Sequence, residues 1–293
     1  MAKNQTAYLN GDFVPLDEAK VSVLDRGFVF GDGIYEVVPV YDRVPFRWDD
    51  HLARLNRSLA RIQISNPLDQ KSWSTLVSDL VQRHPWNDQF IYFQVTRGVA
   101  KRDHAYPADT TPTVFGMCSE FVRPPKSQVT EGVATISLGD ERWMNCDIKS
   151  VSLLGNVLAR QAAVDAQAME AILFRDGYLT EGAASTVWVV RHNKLLVPLK
   201  DRRILQGIRI GLIEELCQSE SIELEHRNIT REEVLQADEL ILSSATKEVA
   251  PVTTLDGNLV GNGKPGPVFA KLHDAYQRAI ASSATKMAAQ PTA

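Results

Sequence analysis

The sequence predicts a mixed α+β fold divided into two domains, and three observations carry that reading. The chain has 293 residues, 44% of them hydrophobic and 23% charged, which is enough for two cores in a globular protein. Period-two apolar stretches and helical-period stretches occur in both halves, without the regular alternation that an all-parallel βαβ sheet requires. A polar stretch carrying the Pro124-Pro125 pair lies between the halves. The expected division is a small N-terminal α/β domain over 1–119, a linker over 120–131, a larger domain over 132–281 and a low-complexity, disordered tail over 282–293.

The elements follow in order. Short strands turning at Asn10-Gly11-Asp12 open the chain. The stretch "DRGFVFGDGIYEVVPVYDRVPF" reads as strand interrupted by Gly27, Gly31 and Gly33, with a hairpin turn at Asp42-Arg43. Leu52, Leu55, Leu59 and Ile62 recur at helical spacing, with Asp49 or Asp50 as the expected cap. "QFIYFQVTRG" and "TPTVFGMCSEF" read as strands on either side of the polar loop "VAKRDHAYPADT". The second half predicts a strand near 132–138, a helix over about 152–167, and strands turning at Asp176-Gly177 and His192-Asn193. A helix at "GIRIGLIEELCQ", a strand at "IELEHRNI", a short helix at "TREEVLQA", two more strands and a last helix over about 266–280 complete the reading.

Composition excludes several function classes. The net charge is −4 and the pI about 5.9, so no global basic field draws in nucleic acid, and aromatic and basic residues are not interleaved into a stacking platform. No stretch approaches the roughly 20 apolar residues of a membrane span, and the N-terminus lacks a signal-peptide core. Cys118, Cys146 and Cys217 are too few and too far apart for a disulfide framework or a zinc site, which points to a reducing cytoplasm and to no metal. No HExxH, CxxC or GxSxG motif occurs, and "GDG" at 31–33 lacks the rest of a dinucleotide or P-loop fingerprint.

What remains is a scattered set of polar residues. Lys149, in "CDIKS", stands just before an apolar helical stretch; a lysine withdrawn from water there tends to lose its proton and become a nucleophile toward an aldehyde. Glu181, in "TEGAAS", ends a strand before small residues, where a carboxylate is either solvated or the partner of a cationic heterocycle. Arg54 neighbours an apolar stripe and suits a phosphate. Gly207 and Ile208, in "LQGI", enter a helix whose first N–H groups suit an anion, and Ser243, Ser244 and Thr246 lie at a strand end. Arg102 and His104, two apart in a loop, could grip a carboxylate. Each of these is also an ordinary surface feature when taken singly.

Their order in one chain is not ordinary. "RGFVFGDGIYE", "HLARL", "IYFQVTRG" with an RxH loop, "CDIKS", "TEG", "LQGI" and "SSATKE" together resemble the fold-type IV pyridoxal-phosphate enzymes, and within them the D-amino acid aminotransferases, over about residues 7–280. The resemblance implies a two-domain fold with a barrel-like second domain, pyridoxal 5′-phosphate as cofactor, small-molecule substrates and a homodimer. It implies that Lys149 is the Schiff-base lysine, that Glu181 pairs with the pyridine nitrogen and that Leu205 packs against the ring. Arg54, the backbone of Gly207 and Ile208, and Ser244, Ala245 and Thr246 would surround the phosphate. Tyr35, Arg102 and His104 would bind the substrate carboxylate, the loop reaching in from the partner subunit. Two positions depart from the pattern: Arg209 and Ala245 stand where many relatives carry threonine, so hydroxyl contacts are lost there and backbone contacts kept. The implied activity moves the amino group of a D-amino acid such as D-alanine to a 2-oxo acid such as 2-oxoglutarate. The same fold also serves branched-chain L-aminotransferases, (R)-amine transaminases and aminodeoxychorismate lyases, and a cofactor carrier without turnover is a further alternative; the RxH pair favours the D-specific reading.

Overall fold

The computed structural model describes residues 5–288. The described chain divides into two compact units: one runs up to Val122 and includes Ile148–Ser152 and 283–288, and the other comprises Arg123–Asp147 and Leu153–Ser282.

The first unit is built from β1 (Thr6–Leu9), β2 (Asp12–Pro15), α1 (Arg26–Phe30), β3 (Gly33–Tyr41), β4 (Val44–Pro45), α2 (Trp48–Arg61), α3 (Gln70–Gln82), β5 (Gln89–Thr96) and β6 (Thr113–Glu120). Among the described residues it forms a six-stranded antiparallel sheet in the order β2-β1-β6-β5-β3-β4. Strand β5 alternates as its sequence predicts, with Ile91, Phe93 and Val95 buried. Helix α2 packs on β3 and α3 on β5 and β6. Leu52, Leu55 and Leu59 of α2 and Trp73, Leu76 and Leu80 of α3 join Ile34, Val38, Ile91 and Phe93 in one core. Each such side chain contributes about 1.5–3 kcal/mol of transfer free energy.

The excursion Ile148–Ser152 completes this unit. Ile148 enters the core, Ser150 bridges Ile34, and the Tyr35 N–H donates to the Lys149 carbonyl at 2.9 Å. This is why five residues from within the expected 132–281 domain cluster with the N-terminal unit.

The second unit comprises α4 (Lys126–Thr130), β7 (Val133–Gly139), α5 (Leu154–Asp165), β8 (Glu170–Arg175), β9 (Tyr178–Gly182), β10 (Thr186–Arg191), β11 (Lys194–Val197), α6 (Ile208–Ser219), β12 (Leu224–His226), α7 (Arg231–Leu235), β13 (Glu239–Ser244), β14 (Glu248–Leu255), β15 (Asn258–Leu259) and, up to Ser282, α8 (Pro267–Ala288). Its strands run in the order β12-β11-β10-β13-β14-β7-β8-β9, with β15 beside β14. Strand β9, at one end of that order, also packs against β10, so the sheet curls into a half-barrel. Strands β8, β10 and β13 are buried along nearly their whole length, as expected of strands covered on both faces.

Several expectations need correction. The glycine-rich stretch is not continuous strand: Arg26–Phe30 is a helical turn, capped by the Asp25 carboxylate and ended by Gly31 at φ 66°. Helix α2 starts from Arg47 with no side-chain cap, and Asp49 and Asp50 lie in its first turn. Helix α3, which the sequence reading passed over, has Asp69 as a capping side chain. The expected linker contains α4. Helix α8 runs on to Ala288, through Ala- and Met-containing sequence of high helix propensity, and 289–293 of the expected tail lie outside the described residues.

Candidate active site

The candidate residues fall into two sets, one in each unit. In the first unit, Lys149 is carried on an extended segment against the start of β3. The Val151 N–H donates to the Gly33 carbonyl at 3.1 Å, and the Lys149 N–H faces the Ser58 hydroxyl at 3.4 Å. Gly31 is required for this close approach, because a Cβ there would lie 2.4 Å from Ser152 Oγ. The Lys149 side chain is half-buried, and its Nζ lies 4.0 Å from the centroid of the Tyr35 ring. Tyr35 itself stacks on Tyr92 at 5.8 Å, and burial pushes the Tyr92 hydroxyl up to about 12.

Next to Tyr35 on β3 is Glu36, fully buried. It accepts hydrogen bonds from Arg54 Nε at 2.7 Å and Nη2 at 2.8 Å, and faces His51 Nδ1 at 2.8 Å. Burial alone would raise the Glu36 carboxyl, but the Arg54 charge and hydrogen bonds and the His51 contact outweigh it and hold the carboxyl far below its ordinary value. Arg54 is therefore a fixed guanidinium rather than a mobile surface one. Arg102 and His104 are exposed and lie about the Phe30 ring, at 5.3 Å and 5.4 Å from its centroid.

In the second unit, Glu181 is buried. It accepts from the Leu205 N–H at 3.1 Å and 3.2 Å and from Arg142 Nη1. Asp140 orients that arginine, accepting from its Nε and Nη2 at 2.9 Å each, and Thr180 Oγ1 donates to Asp140 at 2.8 Å. Burial raises the Glu181 carboxyl above its ordinary value, although Arg142 and the Leu205 N–H oppose the shift. Asp140 behaves oppositely: burial again pushes it up, but the hydrogen bonds from Arg142 and Thr180 bring it below its usual range.

Gly207 stands at the N-cap of the 12-residue α6, with no side-chain cap. A Cβ at Gly207 would lie 3.3 Å from Thr186 Oγ1. Thr186 pairs with Ser243 across β10 and β13. From there the hairpin Ser244–Glu248 turns, with Ser244 Oγ 3.3 Å from Thr246 Oγ1 and accepting from the Lys247 N–H at 3.0 Å. Gly207, just before Ile208 at the start of α6, thus lies against Thr186 of β10, and Ser244, Ala245 and Thr246 lie at the end of its neighbour β13. Arg209, one of the two departures from the pattern, is buried and donates from Nε to Tyr276 Oη at 2.9 Å.

Sequence reasoning missed Glu36, Asp140, Arg142 and Thr186. Charged residues inside apolar runs, as in "IYEVV", were the available signal for Glu36; nothing in the local sequence marks Arg142. Among the described residues no cluster of side chains is suited to hold a metal ion, and no helix is long and apolar enough to cross a membrane.

The family profile described as amino-transferase class IV matches residues 33–255. The chain belongs to the class IV aminotransferases. Such an enzyme uses pyridoxal 5′-phosphate. The chain is 40% identical over 277 residues to a D-alanine aminotransferase of Bacillus licheniformis, covering 94% of this chain and 98% of that protein. A D-alanine aminotransferase of Staphylococcus haemolyticus is 38% identical over 276 residues, with the same coverage. Among solved structures, the branched-chain amino acid aminotransferase from Escherichia coli superposes with a TM-score of 0.86. That match covers 94% of each chain at 23% identity, a likeness of fold alone.

Proposed function

We propose that this class IV aminotransferase transfers the amino group of a D-amino acid, D-alanine among them, to a 2-oxo acid such as 2-oxoglutarate. The observation that carries the reading is the 40% identity to a D-alanine aminotransferase across 94% of the chain. The branched-chain alternative has support from fold likeness only.

The donor chemistry of the second unit fits the cofactor. The start of a helix, a glycine where a Cβ would crowd a threonine hydroxyl, and the hydroxyls of Ser244 and Thr246 are an anion-type set. When bound, pyridoxal phosphate supplies an aldehyde for the amino group and a ring that accepts electron density. Lys149 would hold it covalently and, once its amine is freed, move a proton at the substrate Cα. Glu181 would hold a proton on the ring nitrogen, with Arg142 and Leu205 fixing its orientation. Leu205 would pack on the ring, and Arg54, aligned by Glu36, would offer its charge to the phosphate together with the backbone of Gly207, Ile208 and Ala245. Tyr35, Arg102 and His104 would bind the substrate carboxylate.

The proposed assembly is a homodimer in the cytoplasm. Its support is the exposure of Arg102 and His104, the exposed apolar residues Val23, Phe28 and Val99, and three free cysteines. An active monomer in light scattering would refute the dimer, and recovery of the activity outside the cytoplasmic fraction would refute the location. The activity is tested with a panel of D- and L-amino acids against 2-oxoglutarate. Turnover confined to the D-series is expected, and preference for branched L-amino acids would overturn the reading.

A further inference from the structure

The loop that carries Arg102 and His104 is exposed, yet its backbone is held from inside the first unit. Arg26, 3% exposed, donates from Nη1 to the Asp103 carbonyl at 2.6 Å and from Nη2 to the His104 carbonyl at 3.4 Å. Its Nε donates to Asp32 Oδ2 at 2.7 Å. The same carboxylate takes Arg97 Nε at 2.7 Å and Nη2 at 3.1 Å. Arg97 in turn donates to the carbonyls of Ile62 at 2.6 Å and Gln63 at 3.1 Å, at the end of α2. The Arg97 guanidinium also covers the Tyr106 ring, 3.6 Å from its centroid. On the outer side, Phe30 lies beneath Arg26, at 4.8 Å, as well as beside Arg102 and His104.

We propose that Arg26, locked by the Asp32–Arg97 pair, and Phe30 are positioning residues that preset the Arg102–His104 loop for carboxylate binding. The inference rests on the reading of Arg102 and His104 as the carboxylate grip. The physical reason is preorganisation. An exposed loop of long side chains loses conformational freedom each time it closes on an anion, and a loop already pinned at two carbonyls and one aromatic ring loses less. Arginine suits the task because its rigid planar fork holds separate donors toward a carboxylate and two carbonyls at once, where the ammonium of a lysine is a compact point charge on a flexible stem.

The experiment compares Arg26→Gln, Phe30→Leu and Arg102→Ala in the full-length holoenzyme. Four quantities are read: KM and kcat for D-alanine, the inhibition constant of propionate as a bare carboxylate, and amide hydrogen exchange of residues 102–106. Arg26→Gln and Phe30→Leu should raise KM and the propionate constant by roughly five- to thirtyfold with kcat unchanged, and should speed exchange in the loop. Values equal to wild type in both variants, with Arg102→Ala impaired, overturn the positioning role. An Arg102→Ala enzyme with unchanged KM and propionate constant overturns the carboxylate reading beneath it. If Arg26→Gln does not fold, Phe30→Leu decides alone, since that ring is only half-buried.

Discussion

Arg142 donates to Glu181, and only 6% and 9% of the two side chains remain exposed. Arg142 also binds the buried Asp140, which pairs with Arg175 as well, at 3.1 Å. Removing Arg142 would leave the buried Glu181 carboxylate without the guanidinium that it pairs with.

Arg142→Gln should therefore destabilise the protein by about 3–5 kcal/mol, the usual cost of breaking a buried pair from one side. Urea denaturation checks this. A loss below about 1 kcal/mol, the scale of an exposed pair, would show that the cluster is hydrated in solution.

Lys149→Ala should abolish covalent attachment of the cofactor and lower turnover by at least about 10²–10⁴-fold, the usual worth of a positioned acid–base group. Borohydride reduction of the wild-type holoenzyme followed by peptide mapping locates the label. A label on another lysine would sink the assignment.

Arg102→Ala should lower kcat/KM for D-alanine by roughly one to two orders of magnitude, since a charge-assisted hydrogen bond is worth about 1.5–3 kcal/mol. A primary amine such as 1-phenylethylamine has no carboxylate and provides the control. Equal losses with both substrates would mean that Arg102 does not read the carboxylate.

Glu36 makes stability depend on pH with a definite sign. Its folded-state carboxyl lies far below the ordinary value of 4.5, so on acidification the unfolded chain takes up the proton first. The contribution is complete above about pH 5 and drains away as pH falls through the acid range toward the folded value. Glu36→Gln should accordingly be less stable than wild type at pH 7 and should lose less on transfer to pH 4. Parallel declines measured by urea midpoints would refute the assignment.

Much of this architecture can be read before any coordinates exist, but not all of it. Strand β5 and helix α2 carry clean period-two and helical apolar patterns, and the turn at Asp42-Arg43 has both residues at positive φ, 48° and 65°. Helix α3 had a legible signal in Asp69 and the spacing Trp73, Leu76, Val77, Leu80. The ion pairs that orient the site are another matter. Asp32 meets Arg97 65 residues away, and Arg142 meets Glu181 39 residues away. No local spacing encodes such meetings, because the fold creates them. Lys149 and Glu181 stand out as candidates because "CDIKS" and "TEG" carry the family resemblance, whereas Arg26 and Glu36, at the two ends of "RGFVFGDGIYE", look like any charged residue in a strand-rich run.

The Ile148–Ser152 excursion also has a bearing on synthesis. A nascent chain that has emerged only as far as Val122 holds α1, α2, α3 and strands β1 to β6 of the first unit. It still lacks Ile148 for its core and Ser150 for the bridge to Ile34. The N-terminal unit must therefore wait, partly open, for a further stretch of translation before it can close. Ser150, which makes that bridge, arrives directly after Lys149. A ribosome stalled before residue 148 should present this unit in a protease-sensitive form, and one stalled well beyond residue 152 in a resistant form.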